Sequence, residues 1–554
     1  MTPSPARLSS LEREWTRRKA AAAARRAAAM AEAGRRRLAD FIRAAWPQVE
    51  PGRPLVWGRH LDAMCEHLEA VTAGQIQNLV IEIPPGCTKS RLVGVFWPCW
   101  EWLRAPETRW LFFSNSDDLA TRESLACRRL WEGDWAATHY PDAVRITTDQ
   151  NTKTWYENER AGHRHALSIG ANATGKKADR LVVDDANDAE KVQGAANRTA
   201  VNSRWDNAIY DRVIDFKASS RVLVGQRTHR DDLIGHVKAA GSVDVLTIPE
   251  QFERARRTTT SIGWTDWRRD DGEFLRPDQF GPAEAEQAKR RLGSMGYRAK
   301  HQQDPQSPEG VLFKAAWLAR RWRRDPDSPD LVVLDDERGP YRFNLAAAER
   351  FLTADGAASA RTSADPTVIC AWAVTPRGDL LWLDCRRHWA EIPDQSKLLA
   401  DAAAAHHPKA VGVEAVASNR GLFQFAQRLG LAAVPMTPSG LDKLSHAQGG
   451  LIHAEQGQLW LPDPAAAPTF PFDAVLSELL AFTGTAADAH DDIVDTLSYA
   501  VDLKPRFCRP AGPTVLPAVI PTARGTPVFR PTPASAATPG PMTVGLPRPV
   551  ERWT

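Results

Sequence analysis

The stretch NLVIEIPPGCTKSRLVGVFW, Asn78–Trp97, decides how this chain is read. An apolar run, a Pro-Pro-Gly turn and a second apolar run opened by Lys89-Ser90 give the order strand, turn, helix. A loop of the form Gly-x-x-x-x-Gly-Lys-Ser/Thr would place glycines at 83 and 88, where this chain has Ile83 and Thr88. Holding a phosphate takes backbone N–H groups curled around it, an ammonium to neutralise charge and a hydroxyl for Mg²⁺. Gly86, Cys87 and Thr88 offer the backbone, Lys89 the ammonium and Ser90 the hydroxyl. An ordinary strand-to-helix turn uses the same residues, so this stretch alone leaves both readings open.

Its neighbours favour the phosphate loop. Short apolar runs at 79–83, 109–114, 180–185, 220–225 and 243–248 alternate with helical patterns, as in a mainly parallel sheet covered by helices. They lack period-two alternation, which suits strands buried on both faces. Ligands of such sheets gather at the carboxyl ends of the strands, where PPGCTKS sits. A second run, ADRLVVDDAND, ends in two acids: Asp184 suits the Mg²⁺ shell, and Asp185 suits orienting or deprotonating a water. Paired acids also cap helices. A third, VLVGQRTHRDDLIGHV, brings Gln226, Arg227 and His229 to the same edge if its strand lies beside the other two, with Asp231 and Asp232 opening a helix. Three strand ends carrying the residue types that a magnesium nucleotide needs point to an α/β P-loop ATPase domain. His60 and Gln75 precede the loop, where a nucleotide base would lie; scaffold roles explain them equally well.

A chain of 554 residues is too long for one core and divides into several regions. We assign 1–50 to a basic Ala/Arg-rich helical segment, with one long helix over about 11–45, and 51–252 to the ATPase domain. Residues 253–345 form a linker region, 346–504 a second domain, and 505–554 a Pro-rich tail unable to bury enough apolar surface to order itself. The net charge of +3 announces no global polyanion partner, so any nucleic-acid surface is a local patch. The basic N-terminal helix reads as a solvated face or as a dock for DNA or protein. Seven cysteines without C-x-x-C spacing exclude a zinc ribbon or disulfide framework and suit a reducing cytoplasm. No apolar run is long enough to span a membrane, so no membrane role is expected. The tryptophans of VFWPCWEWLRA read as core.

The second domain opens with three strand-like runs, FLTADGA, TVICAWAV and LLWLDCRRHW, which predict an antiparallel meander. Helix, strand, helix and strand follow, the order of an RNase H-like fold. Asp355 ends the first strand and Glu414 the fourth, while Asp491, Asp492 and Asp495 open a late helix. Asp491 and Asp495, four apart, share a helix face. Carboxylates from three separated segments are what two hard cations require to clamp a phosphodiester. An acid on an apolar strand is costly without a partner or metal, which sets Asp355 and Glu414 apart from surface acids. Asp365 either assists them or simply begins the second strand.

Together these motifs resemble the large terminase subunit of tailed bacteriophages over roughly 57–503. IPPGCTKS is similar to that family's Pro-Pro-x-x-x-Lys-Ser loop, LVVDD to its acidic strand and GQRTHRDDLIG to its coupling motif. YRAKHQQDPQSPEGVLF resembles its interdomain signature and HDDIVDTLSYA its last nuclease motif. The resemblance implies ATP-driven movement of double-stranded viral DNA into a procapsid and metal-dependent cutting of concatemers. Its cofactors would be ATP with Mg²⁺, and Mg²⁺ or Mn²⁺ at the nuclease site. It implies a portal protein, a small terminase subunit and a homo-oligomeric ring as partners, in the host cytoplasm and transiently at the portal vertex rather than in the mature virion. Carried over, Lys89 and Ser90 bind phosphate and Mg²⁺, Asp184 the metal and Asp185 the water, while Asp355, Glu414 and Asp491 hold the nuclease metals. The sequence departs from the family where Thr88 replaces glycine, where residues 84–88 include no basic side chain, and where Thr228 replaces a tryptophan. Lys176, Lys177 or Arg180 would then lend the missing charge, reaching a neighbouring subunit. Two other readings stay open: a noncatalytic DNA–portal adaptor, and a host helicase or repair nuclease.

Overall fold

The computed structural model describes residues 5–507 except 189–190, 306–311, 337–338, 357–365, 390–391, 415–419, 437–441, 486–487 and 489. Asp365, part of the interdomain signature and, from 508 onward, the tail lie outside the described residues.

The N-terminal half is built on eight strands: β1 (Asn78–Glu82), β2 (Trp110–Ser114), β3 (Ile146–Asn151), β4 (Trp155–Asn158), β5 (His163–Ser168), β6 (Arg180–Asp184), β7 (Ser220–Gly225) and β8 (Asp244–Thr247). Their spatial order is β3-β4-β5-β2-β6-β7-β1-β8. From β5 to β8 every neighbouring pair is parallel, and β3 and β4 add an antiparallel edge. All the strands anticipated from the apolar runs are present, with β2 and β7 buried along their whole length. The decisive topological fact is that β7 lies between β1, which carries the loop, and β6, which carries the acid pair. The acids at the end of one strand and the lysine that follows the loop of another therefore meet across the end of a third.

Trp97, Trp100, Trp102 and Trp110 are fully buried, the first and last meeting edge to face at 4.8 Å. The basic N-terminal segment forms two helices, Pro5–Arg36 and Leu38–Val49, where the sequence suggests one. Arg37 is extended because Glu69 pairs with its guanidinium and accepts from the Leu38 N–H at 2.7 Å, restarting the helix against the body.

The second sheet has nine strands: β9 (Arg321–Arg324), β10 (Leu331–Asp336), β11 (Gly339–Asn344), β12 (Glu349–Asp355), β13 (Thr367–Val374), β14 (Leu380–His388), β15 (Ala410–Glu414), β16 (Ala432–Met436) and β17 (Leu459–Pro462). Their order is β11-β10-β9-β17-β14-β13-β12-β15-β16. The stretch β14-β13-β12-β15-β16 is the RNase H-like core: an antiparallel meander, then two strands parallel to β12. Here β12 is central and its far end carries Asp355. The region 253–345, expected to link the domains, folds into the helix Pro282–Lys300 and the strands β9 to β11, which extend this sheet through β17. The chain is thus a P-loop ATPase fold followed by an RNase H-like fold.

Candidate functional site

At the carboxyl end of β1 the chain turns through Ile83–Thr88 and becomes helical at Lys89. Gly86 has φ 79° and Thr88 φ 63°. The left-handed conformation that a glycine would adopt without strain at 88 is therefore kept, at a cost of about 1–2 kcal/mol for a residue with a Cβ. Arg276, to which no sequence signal pointed, buttresses this turn. Its Nη2 donates to the Pro85 carbonyl at 2.6 Å and pairs with fully buried Glu250 at 3.0 Å. A Cβ on Gly86 would stand 2.8 Å from Arg276 Nη1. Burial pushes the Cys87 thiol up to about 12, so at this position the loop offers only backbone.

Lys89 is buried, with Nζ 3.3 Å from Asp185 Oδ2. The other oxygen of Asp185 accepts from the Gln226 N–H at 3.3 Å, so the end of β7 touches the acid pair. Burial raises Asp184 to about 7, helped by the charge of Asp185 and opposed by Lys89 and a hydrogen bond from Ser90. Asp184 Oδ1 is buried without a hydrogen-bond partner. A desolvated carboxylate oxygen beside a serine hydroxyl and a lysine is a donor set suited to a hard divalent cation. The structure thus brings together Gly86, Cys87, Thr88, Lys89, Ser90, Asp184, Asp185 and Gln226.

Arg227, assigned from the sequence to the nucleotide, is turned inward instead. Its guanidinium donates to Glu82 at 2.9 Å, to Asp232 at 3.0 Å and to the carbonyls of His229 and Arg230. Glu82 is fully buried and also holds Lys238 at 2.9 Å. Asp232 caps the helix Leu233–Ala240 by accepting from the Gly235 N–H at 2.8 Å, as its position in the sequence implies. Among the basic residues considered for lending charge, Arg180 sits at the opposite end of β6 from the acids and forks onto buried Glu101 at 2.7 and 3.0 Å. Lys176 donates to the Asn172 carbonyl at 3.1 Å.

In the second half, Asp355 ends β12 beside Glu414 of β15, and the helix Asp492–Leu503 brings Asp492 and Asp495 to them, with Asp491 at its N-cap. Burial pushes Asp355 well above the usual carboxylate range, reinforced by Glu414, with which it shares a hydrogen bond, and by Asp495 and Asp492. Asp495 rises to about 8 through burial, then Asp491, Glu414 and Asp492, with Lys443 opposing. The same burial and the charges of Glu414, Asp355 and Asp495 push Tyr499 up. The ends of β12 and β15 and the start of the helix Asp492–Leu503 thus bring Asp355, Glu414, Asp492 and Asp495 into one region, with Asp491 at the helix cap, and carboxylate oxygens are the donor type that hard divalent cations take.

The centre is partly filled by side chains that the sequence reading missed. Lys443 Nζ meets Asp491 Oδ2 at 2.9 Å, and His446 Nε2 lies 3.5 Å from Asp495 Oδ1. Among the described residues no three acid, histidine or cysteine side chains are close enough together to enclose a metal ion. Also among them, no helix is long and apolar enough to cross a membrane.

No protein-family model matches the chain. No curated protein matches it either. Solved structures do. The large terminase of a thermophilic bacteriophage aligns at 10% identity over 78% of this chain and 98% of that one, with a TM-score of 0.41. The HK97 bacteriophage large terminase aligns at 11% identity over 83% and 99%, with a TM-score of 0.31. The large terminase nuclease of thermophilic phage G20c aligns at 18% identity over 35% and 98%, with a TM-score of 0.24. The first of these proteins has been solved with ADP and with ATP-gamma-S, and the G20c nuclease with magnesium and with zinc. This chain is similar in structure to phage large terminases, and the strand orders above define its two folds independently.

Proposed function

We propose that this chain is a large terminase subunit that hydrolyses ATP to move double-stranded viral DNA into a procapsid and cuts the concatemer with a metal-dependent nuclease. The observation that carries the proposal is the joint presence, in one chain, of the Lys89–Asp185 pair across β7 and of acids from β12, β15 and the helix Asp492–Leu503 brought to one end of the second sheet. In the motor half, the N–H groups of 86–89 bind phosphate oxygens, and Lys89 neutralises their charge. Ser90 and Asp184 hold Mg²⁺, whose role when bound is to draw charge off the phosphates. Asp185, held by Lys89 and the Gln226 N–H, accepts a proton from the attacking water. In the nuclease half, Asp355, Glu414, Asp491, Asp492 and Asp495 hold Mg²⁺ or Mn²⁺.

Duplex DNA, bound mainly through its phosphates and so weakened by salt, a portal protein, a small terminase subunit and further copies of this chain are the partners of this reading. Its place is the host cytoplasm, with transient attachment to the portal vertex. The test is steady-state ATP hydrolysis with Mg²⁺ and duplex DNA, beside plasmid cleavage with Mn²⁺. Lys89→Ala should abolish the first activity and Asp355→Asn the second. A folded wild type that neither binds nor hydrolyses ATP, even with DNA present, would replace this reading with that of an adaptor.

A further inference from the structure

One helix, Lys443–Glu455, together with its cap Asp442, touches both the ATPase half and the carboxylates of the second domain. Its capping residue, Asp442, accepts from Arg198 Nη1 at 3.1 Å, and Asp442 Oδ2 stands 3.9 Å from His229 Nε2. The Ser445 hydroxyl meets Gln193 Oε1 at 2.9 Å. Arg198 is buried and also donates to the carbonyls of Val192 and Gln193, both at 2.8 Å, fixing the segment that leads away from the Asp184–Asp185 acid pair. At its other end the helix is held again, Glu455 accepting from the Ser294 N–H at 3.0 Å.

The face of this helix carrying residues 443, 446, 450 and 453 lies on the helix Asp492–Leu503 and its extension. Lys443 meets Asp491, His446 faces Asp495, and His453 meets Lys504 at 2.8 Å. Between them Gly449 and Gly450 allow close approach: a Cβ on either would come to 3.0 Å from Val501 or Leu497. Helices packed this closely transmit displacement rather than absorb it. A shift of Asp442 thus moves Lys443 against the nuclease carboxylates.

We propose that the ATPase half, through Arg198 and Gln193, sets the position of the helix Lys443–Glu455, and that Lys443 on this helix acts as a built-in cation that competes with divalent metal for Asp491. The inference rests on the nuclease reading above and adds its regulation. Lys443 is a positioning residue: it holds one carboxylate and excludes charge from it, and the site opens when the helix is released. A lysine so placed restrains metal loading until the motor half changes shape.

The test is Mn²⁺ binding to the full-length, nucleotide-free protein, followed by the EPR signal of free Mn²⁺, with the part abolished by Asp355→Asn taken as the nuclease centre. Lys443→Ala should tighten that binding about fivefold or more, and Lys443→Arg should keep the wild-type affinity. Arg198→Ala should shift affinity in the same direction by at least about twofold. Ser445→Ala, which removes only the contact with Gln193, repeats the test if Arg198→Ala melts early. Unchanged or weaker binding in Lys443→Ala overturns the competition. Tighter binding in Lys443→Ala with no shift in either Arg198→Ala or Ser445→Ala overturns control by the ATPase half. A folded wild type without Mn²⁺ binding sensitive to Asp355→Asn removes the nuclease reading itself, and this inference with it.

Discussion

Lys89 Nζ lies 3.3 Å from Asp185 Oδ2, so the lysine of the phosphate loop is held by the second acid of β6 before any nucleotide arrives. Under the proposed function a nucleotide draws Lys89 toward its phosphates, which frees Asp185 to act on a water. Asp185→Asn should therefore lower kcat for ATP about 10²-fold or more while nucleotide affinity changes only a few-fold. Lys89→Ala should lose affinity as well. Mant-ADP titration beside turnover separates the two.

Thr88 offers a cleaner test of the loop's geometry. Its φ of 63° strains a β-branched residue but not glycine. Thr88→Gly should raise stability by about 1 kcal/mol, a melting shift of a few degrees, and leave nucleotide binding intact. A fall in stability would show that the side chain of Thr88 makes contacts worth more than the strain.

Arg276 is expected to matter through the loop's shape. Truncating it to alanine leaves fully buried Glu250 without its ion-pair partner and should cost about 3–5 kcal/mol. Gly86→Ala attacks the same contact from the loop side, since the new Cβ collides with Arg276 and the φ of 79° is unfavourable. It should abolish mant-ADP binding and lower the melting temperature by a few degrees, a smaller loss than that of Arg276→Ala.

The carboxylates around Asp355 and Asp495 give a pH signature in the absence of metal. Burial and like charges raise Asp495 to about 8 in the folded protein, from about 3.8 when unfolded. Below the unfolded value both states are protonated and nothing is lost. As pH rises from there toward 8 the folded state must hold on to a proton or ionise at a cost, so stability falls across that window. In EDTA the melting temperature of wild type should drop relative to Asp495→Asn by a few degrees between pH 5 and pH 8. Excess Mn²⁺ should reverse that drop in wild type.

Much of this architecture is legible in the sequence because its signals are local. Continuous apolar runs mark β1, β2, β6, β7 and β8, and the acids at strand ends mark the sites. What stayed hidden depends on contacts between distant segments. Arg276 lies 191 residues beyond Pro85, whose carbonyl it holds, and Lys443 and His446 sit on a helix with no motif of its own. The strands β9 and β11 are largely polar and leave the apolar run of β10 without a patterned neighbour, so a region read as a linker joins a sheet whose other members come later in the chain. Arg227 shows the converse difficulty. Its motif is read correctly as belonging to the β7 edge, yet which way its guanidinium turns is decided by Glu82, a residue on another strand.

The place of β7 between β1 and β6 carries a mechanical consequence. Hydrogen-bonded on both sides, that strand acts as a wedge whose tip, from Gln226 to His229, registers the gap between the loop and the acids. His229 stands at the end of that tip, with Nε2 3.9 Å from Asp442 Oδ2. The strand that separates the phosphate-loop lysine from the acid pair thus also ends against the cap of a distant helix, so under the proposed function one strand borders both partners of the coupling inferred above.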